Sequence, residues 1–123
     1  MAVITFDFDN TIAMSRMKET ETGVEYIFDG YNEQIVELIH HHIKNEDEVY
    51  IVTARFEEKE GMFPNDTVQK HLEKLSLAVH LWPNKVFYTN DTPKREKLIE
   101  LGTTIHYDDN MKEHVDGYNE DYV

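Results

Sequence analysis

Apolar positions along this chain follow two rhythms. Short runs rich in β-branched and aromatic residues, "AVITFDF" (2–8), Val49–Val52, "KVFYTN" near Val86–Thr89 and "TTIHY" (103–107), read as strands of a buried sheet. Between them the spacing turns helical. From Tyr31 to Asn45 the apolar residues are Ile35, Val36, Leu38, Ile39 and Ile43, which share one face of a helix. Asn65 or Asp66 is placed to cap a second helix reaching about Leu75, with Val68, Leu72 and Leu75 inward. Pro93 suits the first turn of a third helix, and Gly102 its end. The mostly polar stretch 12–30 contains the alternating "VEYIF", so residues 13–30 predict a short hairpin or flap. "FEEKEGMFPN" reads as a polar loop with its "EEKE" in solvent, and the tail "NMKEHVDGYNEDYV" offers at most one short helix.

Strands alternating with helices predict an α/β domain: a small parallel sheet with helices on both faces, a Rossmann-like three-layer sandwich. The 123 residues suffice for one domain, 1–123, with one core. Ligands of such sheets bind beyond the carboxyl ends of the strands. Three polar groups fall at those ends: Asp7 with Asp9, Thr53 with Arg55, and Asp108 with Asp109.

Composition narrows the classes. There are 25 acids against 12 bases, a net charge of −13, which disfavours an extended nucleic-acid surface. It also weakens any acidic motif taken alone, so position along the elements carries the weight. With no cysteine, disulfides and thiolate metal sites are excluded. No apolar run approaches twenty residues, which argues against a membrane span. The start "MAVITFDFD" lacks the basic region and cleavage site of a signal peptide. Together these fit a cytoplasmic protein.

Alternation puts Asp7 and Asp9 on one side of their strand, where like charges raise each other's cost of ionisation. Four carboxylates at one sheet edge call for a hard divalent cation, and magnesium takes oxygen ligands and often bridges to phosphate. A carboxylate can also be a nucleophile toward phosphorus. Thr53 offers a hydroxyl, amides after the first strand offer donors, and Lys94 offers a neutralising charge. Lys97, one turn further on, is the rival. His40, His41 and His42 point in different directions on a helix and cannot all grip one ion. Met14, Met17, Met62 and Phe63 stand in the two loops near the site mouth, suited to packing or to a substrate platform. Trp82 reads as packing before the third strand.

"DFDNT" (7–11), "VYIVT" (49–53), and "PKREKLIELG" followed by "IHYDD" resemble, in order, the four motifs of the haloacid dehalogenase-like hydrolases, over residues 3–109. The resemblance implies that family's fold, with strand order 4-1-2-3, and it implies roles. Asp7 would be the nucleophile and Asp9 the general acid and base, also giving its backbone carbonyl to magnesium. Thr53 would hold the phosphoryl group with Asn10 and Thr11, and Lys94 would steady the phosphoaspartate. Asp109 would be the direct magnesium ligand beside Asp7, with Asp108 orienting Lys94 or a metal-bound water. Insertions at about 13–30 and 56–65 are too short for a cap domain, so the chain looks like a capless phosphatase acting on a phosphomonoester. Arg55, two residues after Thr53, holds the spacing of an arginine in the polynucleotide 3′-phosphatases of that family, which points to a nucleotide or a nucleic-acid 3′ end. Two other readings stand beside it: a non-catalytic acidic protein mimicking a polyanion, and a phosphotransferase to an acceptor other than water.

Overall fold

A computed structural model of the chain describes residues 2–108. Asp109 and the tail from 110 onward lie outside the described residues. Four strands form one parallel sheet: β1 (Val3–Phe6), β4 (Glu48–Thr53), β5 (Val86–Tyr88) and β6 (Ile105–Tyr107). Two more, β2 (Ala13–Thr20) and β3 (Gly23–Tyr31), pair antiparallel as a separate hairpin in the 13–30 insertion. Numbered with these two included, the sheet order is β5-β4-β1-β6, so the four strands that the apolar runs predict stand, from β6 to β5, as fourth, first, second and third. β1 sits between β4 and β6.

Pleating sorts the sheet into two faces. Ile4, Phe6, Val49, Ile51 and Val86 are paired in register and turn one way, where they meet Ile39 of α1 (Glu33–Lys44), Val68 and Leu72 of α2 (Val68–Lys74) and Leu81 of α3 (Ala78–Leu81) in one core cluster. Thr5, Tyr50, Val52, Phe87 and His106 turn the other way. On that side α4 (Arg95–Leu101) buries Leu98 and lays the Lys97 ammonium 4.8 Å from the centre of the Phe87 ring. Phe6 and Ile39 are fully buried, so truncating either to alanine should cost about 2–5 kcal/mol.

Helix ends follow local chemistry. Asn32 caps α1 by accepting from the Ile35 amide at 3.3 Å. Thr67, rather than Asn65 or Asp66, caps α2 by accepting from the Lys70 amide at 3.0 Å. Asp66 is committed elsewhere, as shown below, and Leu75 is the residue after the last turn of α2. Gly102 closes α4 at φ 72°, a left-handed conformation that costs glycine nothing. The loop 56–65 contains a 3-10 helix, Glu57–Met62. Among the described residues no helix is long and apolar enough to cross a membrane.

Candidate active site

The register of β1 with β6 builds the first half of the site. Phe6 is paired with Tyr107, so the next residues, Asp7 and Asp108, leave the sheet side by side. Lys94 immediately precedes α4 and runs its side chain between them. Its Nζ donates to Asp7 Oδ1 at 2.6 Å and to Asp108 Oδ2 at 2.8 Å. Lys94 is 1% exposed and Asp7 and Asp108 are buried. Lys97 is partly exposed and bonded to Glu100, so of the two lysines it is Lys94 that meets the acids.

Behind this trio the sheet supplies more partners. The His106 ring spans Asp108 and Thr5, with Nε2 3.0 Å from Asp108 Oδ2 and Nδ1 2.7 Å from the Thr5 hydroxyl. Since a carboxylate is an acceptor, Nε2–H donates to Asp108 and the Thr5 hydroxyl donates to Nδ1. Two carboxylates therefore share one lysine in a buried place. Burial first, and then the charge of Asp108, raise the Asp7 carboxyl against the pull of Lys94, to about 7 in all. The location is short of positive charge.

The second half of the site is built around Arg55. The turn after β1 carries Asp9, and its carboxylate forms a two-point pair with Arg55: Nε to Oδ2 at 2.9 Å and Nη2 to Oδ1 at 2.9 Å. Arg55 Nη1 donates to Glu60 Oε2 at 3.2 Å and to the Asp66 carbonyl at 2.6 Å, and Asp66 Oδ2 lies 3.6 Å from Nη2. Acceptors of the protein thus face every edge of the guanidinium, and its central carbon lies over the Phe8 ring, 4.9 Å from the ring centre. Burial works against the charge on Arg55, but the bonds and charges of Asp9, Glu60 and Asp66 hold its pKa above the usual value.

Glu60 corrects the solvated reading of "EEKE". Besides Arg55 it accepts from the Val68 amide at 3.1 Å and the Tyr88 hydroxyl at 3.0 Å. Burial first, and then the charge of Glu60, hold the Tyr88 phenol protonated well past its ordinary range. Asp66 Oδ1 meets Nε2 of the buried His71 at 2.7 Å, and His71 Nδ1 meets the Tyr31 hydroxyl at 2.6 Å. Asp9 is thereby tied through Arg55 and Asp66 to α2 and the hairpin.

The remaining residues divide. The Thr53 hydroxyl ends β4, fully buried, and accepts from the Arg55 amide at 3.3 Å. The Thr11 hydroxyl points at Asp7 Oδ2 from 3.5 Å. Asn10 sits at φ 61°, and its Oδ1 accepts from the amide and the hydroxyl of Ser15, bracing the first residues of β2. The amides of Asn10, Thr11 and Ile12 are bonded to the carbonyls of Ala13 and Phe8, so those three do not face outward as anion donors. Met14 lines the cavity beside Asp9, while Met17, Met62 and Phe63 are exposed.

His106, Thr5, His71, Asp66 and Tyr31 were not apparent as site residues from the sequence. His106 had a signal: two residues before Asp108 on a strand, it shares that residue's side. Tyr31 and His71 are forty residues apart, and no local pattern joins them.

Asp7 and Asp108 are hard oxygen donors of the kind magnesium takes. Among the described residues there is no group of three or more histidines or acids arranged to hold a metal ion. Asp109, which the motif resemblance names as direct ligand, lies outside the described residues. No protein-family model matches the chain, and no curated protein and no solved structure matches it significantly.

Proposed function

We propose that the protein is a magnesium-dependent phosphatase that cleaves a phosphomonoester through an aspartyl-phosphate on Asp7. The observation that carries the reading is the buried Asp7–Lys94–Asp108 trio at the carboxyl ends of adjoining parallel strands. A fold has little reason to bury two acids around one lysine, since burying charges costs more than such a pair returns. A site for a doubly charged phosphoryl group and its cation has that reason.

The chemistry balances on these residues. A carboxylate oxygen of Asp7 attacks phosphorus in line with the ester oxygen, the P–O ester bond breaks, and an acyl phosphate forms. Asp9, which must enter the cycle carrying a proton, gives that proton to the departing alkoxide. It then takes a proton from water as the water oxygen attacks phosphorus, which frees Asp7 and releases inorganic phosphate. The two Arg55 bonds use one lone pair on each Asp9 oxygen and fix the carboxylate plane, and each oxygen keeps a second lone pair that can carry the proton. Lys94 holds Asp7 in place, and the Thr53 hydroxyl has a hydrogen to donate to a phosphoryl oxygen.

Asp7, the backbone carbonyl of Asp9 and Asp109 would hold magnesium. The charge deficit around Asp7 and the oxygen-only donors fit that ion, which retains several waters. When bound, it supplies positive charge against the phosphoryl oxygens. The test is hydrolysis of p-nitrophenyl phosphate with and without magnesium, by the parent chain and by Asp7→Asn. Magnesium-dependent turnover lost in the variant supports the reading, and its absence from the parent across a broad phosphomonoester screen sinks it.

A further inference from the structure

The hairpin is amphipathic in an unusual direction. Register pairs Ser15 with Phe28, Met17 with Tyr26 and Glu19 with Val24, so these six share one face. The other face carries Arg16, Lys18, Glu25 and Asp29. The apolar face is not buried: Tyr26 is 73% exposed and Met17 68%. It turns toward the site. Tyr26, Phe28 and Met14 line a cavity of about 290 Å³ together with Asp9, Arg55 and Asp66. An adjoining cavity of about 630 Å³ is bounded by Tyr26 and Arg55 on one side and by Phe56, Lys59 and Phe63 of the 56–65 loop on the other. Together these reach the size range of small-molecule sites.

Ring faces in this cleft are not equally free. Lys59 covers Phe56 with its ammonium 4.4 Å from the ring centre. Phe28 is edge-on to Tyr31 and packed on His71. Tyr26 and Phe63, which is 68% exposed, have no ring or cation stacked on them among the described residues. Tyr26 lines both cavities, the smaller of which includes Asp9, and Phe63 lines the larger, so two unoccupied aromatic faces from separate elements are set to receive a planar ring.

We infer that this cleft binds the base of a nucleoside monophosphate or of a terminal nucleotide, with Tyr26 and Phe63 as the stacking surfaces. The inference rests on the phosphatase reading, because it takes the leaving group to extend from Asp9 into the cleft. A sugar phosphate would leave both rings in water. A long nucleic acid would meet the chain's charge of −13, so the terminal nucleotide makes the contacts and length adds little.

The test compares a nucleoside 3′-monophosphate, a nucleoside 5′-monophosphate and ribose 5-phosphate. Binding is measured by calorimetry on the Asp7→Asn chain, and kcat/KM on the active chain, each with Tyr26→Ala and Phe63→Ala. Both side chains are exposed, so unchanged circular dichroism is expected. At least one nucleotide should bind and react better than ribose 5-phosphate by about tenfold, and each substitution should remove most of that margin while leaving ribose 5-phosphate unaltered. Equal handling of nucleotides and ribose 5-phosphate, or substitutions that lower both alike, overturns the inference. So does a dimer that Tyr26→Ala disperses, since the apolar face would then belong to a second copy of the chain. Tyr26-dependent nucleotide binding in a chain that hydrolyses nothing keeps the cleft and discards the phosphatase.

Discussion

Lys94 and Asp7, 87 residues apart in the chain, meet at 2.6 Å in a place nearly closed to water. Removing the lysine leaves Asp7 and Asp108 facing each other without a cation between them. Lys94→Ala should therefore lower the unfolding free energy by about 3–5 kcal/mol and reduce turnover by about two orders of magnitude or more. Lys97→Ala, which loses a surface pair with Glu100 and a contact with Phe87, should stay within about 1 kcal/mol and keep activity. Chemical denaturation and steady-state kinetics on both variants check this.

Asp7→Asn should abolish turnover and yet strengthen the fold at neutral pH. The folded carboxyl titrates near 7 against 3.8 for the unfolded group, so the folded state holds the proton more tightly. The stability this contributes is complete below about pH 4 and is lost as pH rises through 7. Asparagine has no charge to desolvate, so its advantage over the metal-free parent should appear between these limits and level off above them. A rise from 3.8 to about 7 sets a ceiling of about 4 kcal/mol on that gain, reduced by the lost Lys94 bond. Melting temperatures at pH 4, 6 and 8 in chelator decide it, and a parent more stable than the variant at pH 8 contradicts it.

Arg55 has its donors committed to Asp9, Glu60 and Asp66, so it should act through Asp9. Arg55→Ala should lower kcat about 10- to 100-fold with KM changed little. Arg55→Lys should rescue poorly, because a lysine cannot reproduce the two-point fork. A loss confined to KM would return Arg55 to the direct substrate contact that its spacing from Thr53 predicts.

Chelation should stop turnover, with magnesium restoring it and calcium serving poorly because of its looser geometry. Asp109→Asn should weaken magnesium affinity more than Asp108→Asn. Asp108 already accepts from Lys94 and His106, and its loss should show mainly as instability. Isothermal titration with magnesium alone separates the two.

The helical and strand periodicities were legible because each reports a single buried face: Ile35, Val36, Leu38, Ile39 and Ile43 announce α1, and "VYIV" announces β4. α3 was illegible, since four residues, Ala78–Leu81, are too few to show a period. Asp7 and Asp108 could be named because strand ends in a parallel sheet converge, and Lys94 because it opens the helix that follows β5. Glu60 and Asp66 could not, because nothing in "FEEKEGMFPND" marks which acids fold back on Arg55. Such pairing is decided by the path of a loop, and in a chain with 25 acids every candidate has many rivals.

Phe8 is fully buried between Asp7 and Asp9, with the His71 ring 5.6 Å away on centroids and the central carbon of the Arg55 guanidinium over it. The residue between the two acids is therefore a core side chain, so their spacing is tied to the packing of the core. Heat should then take the chemistry and the fold together: the temperature at which activity disappears should coincide with the melting of the core. Phe8→Leu should move both temperatures down in step, because the same buried ring stands between the two acids and in the core.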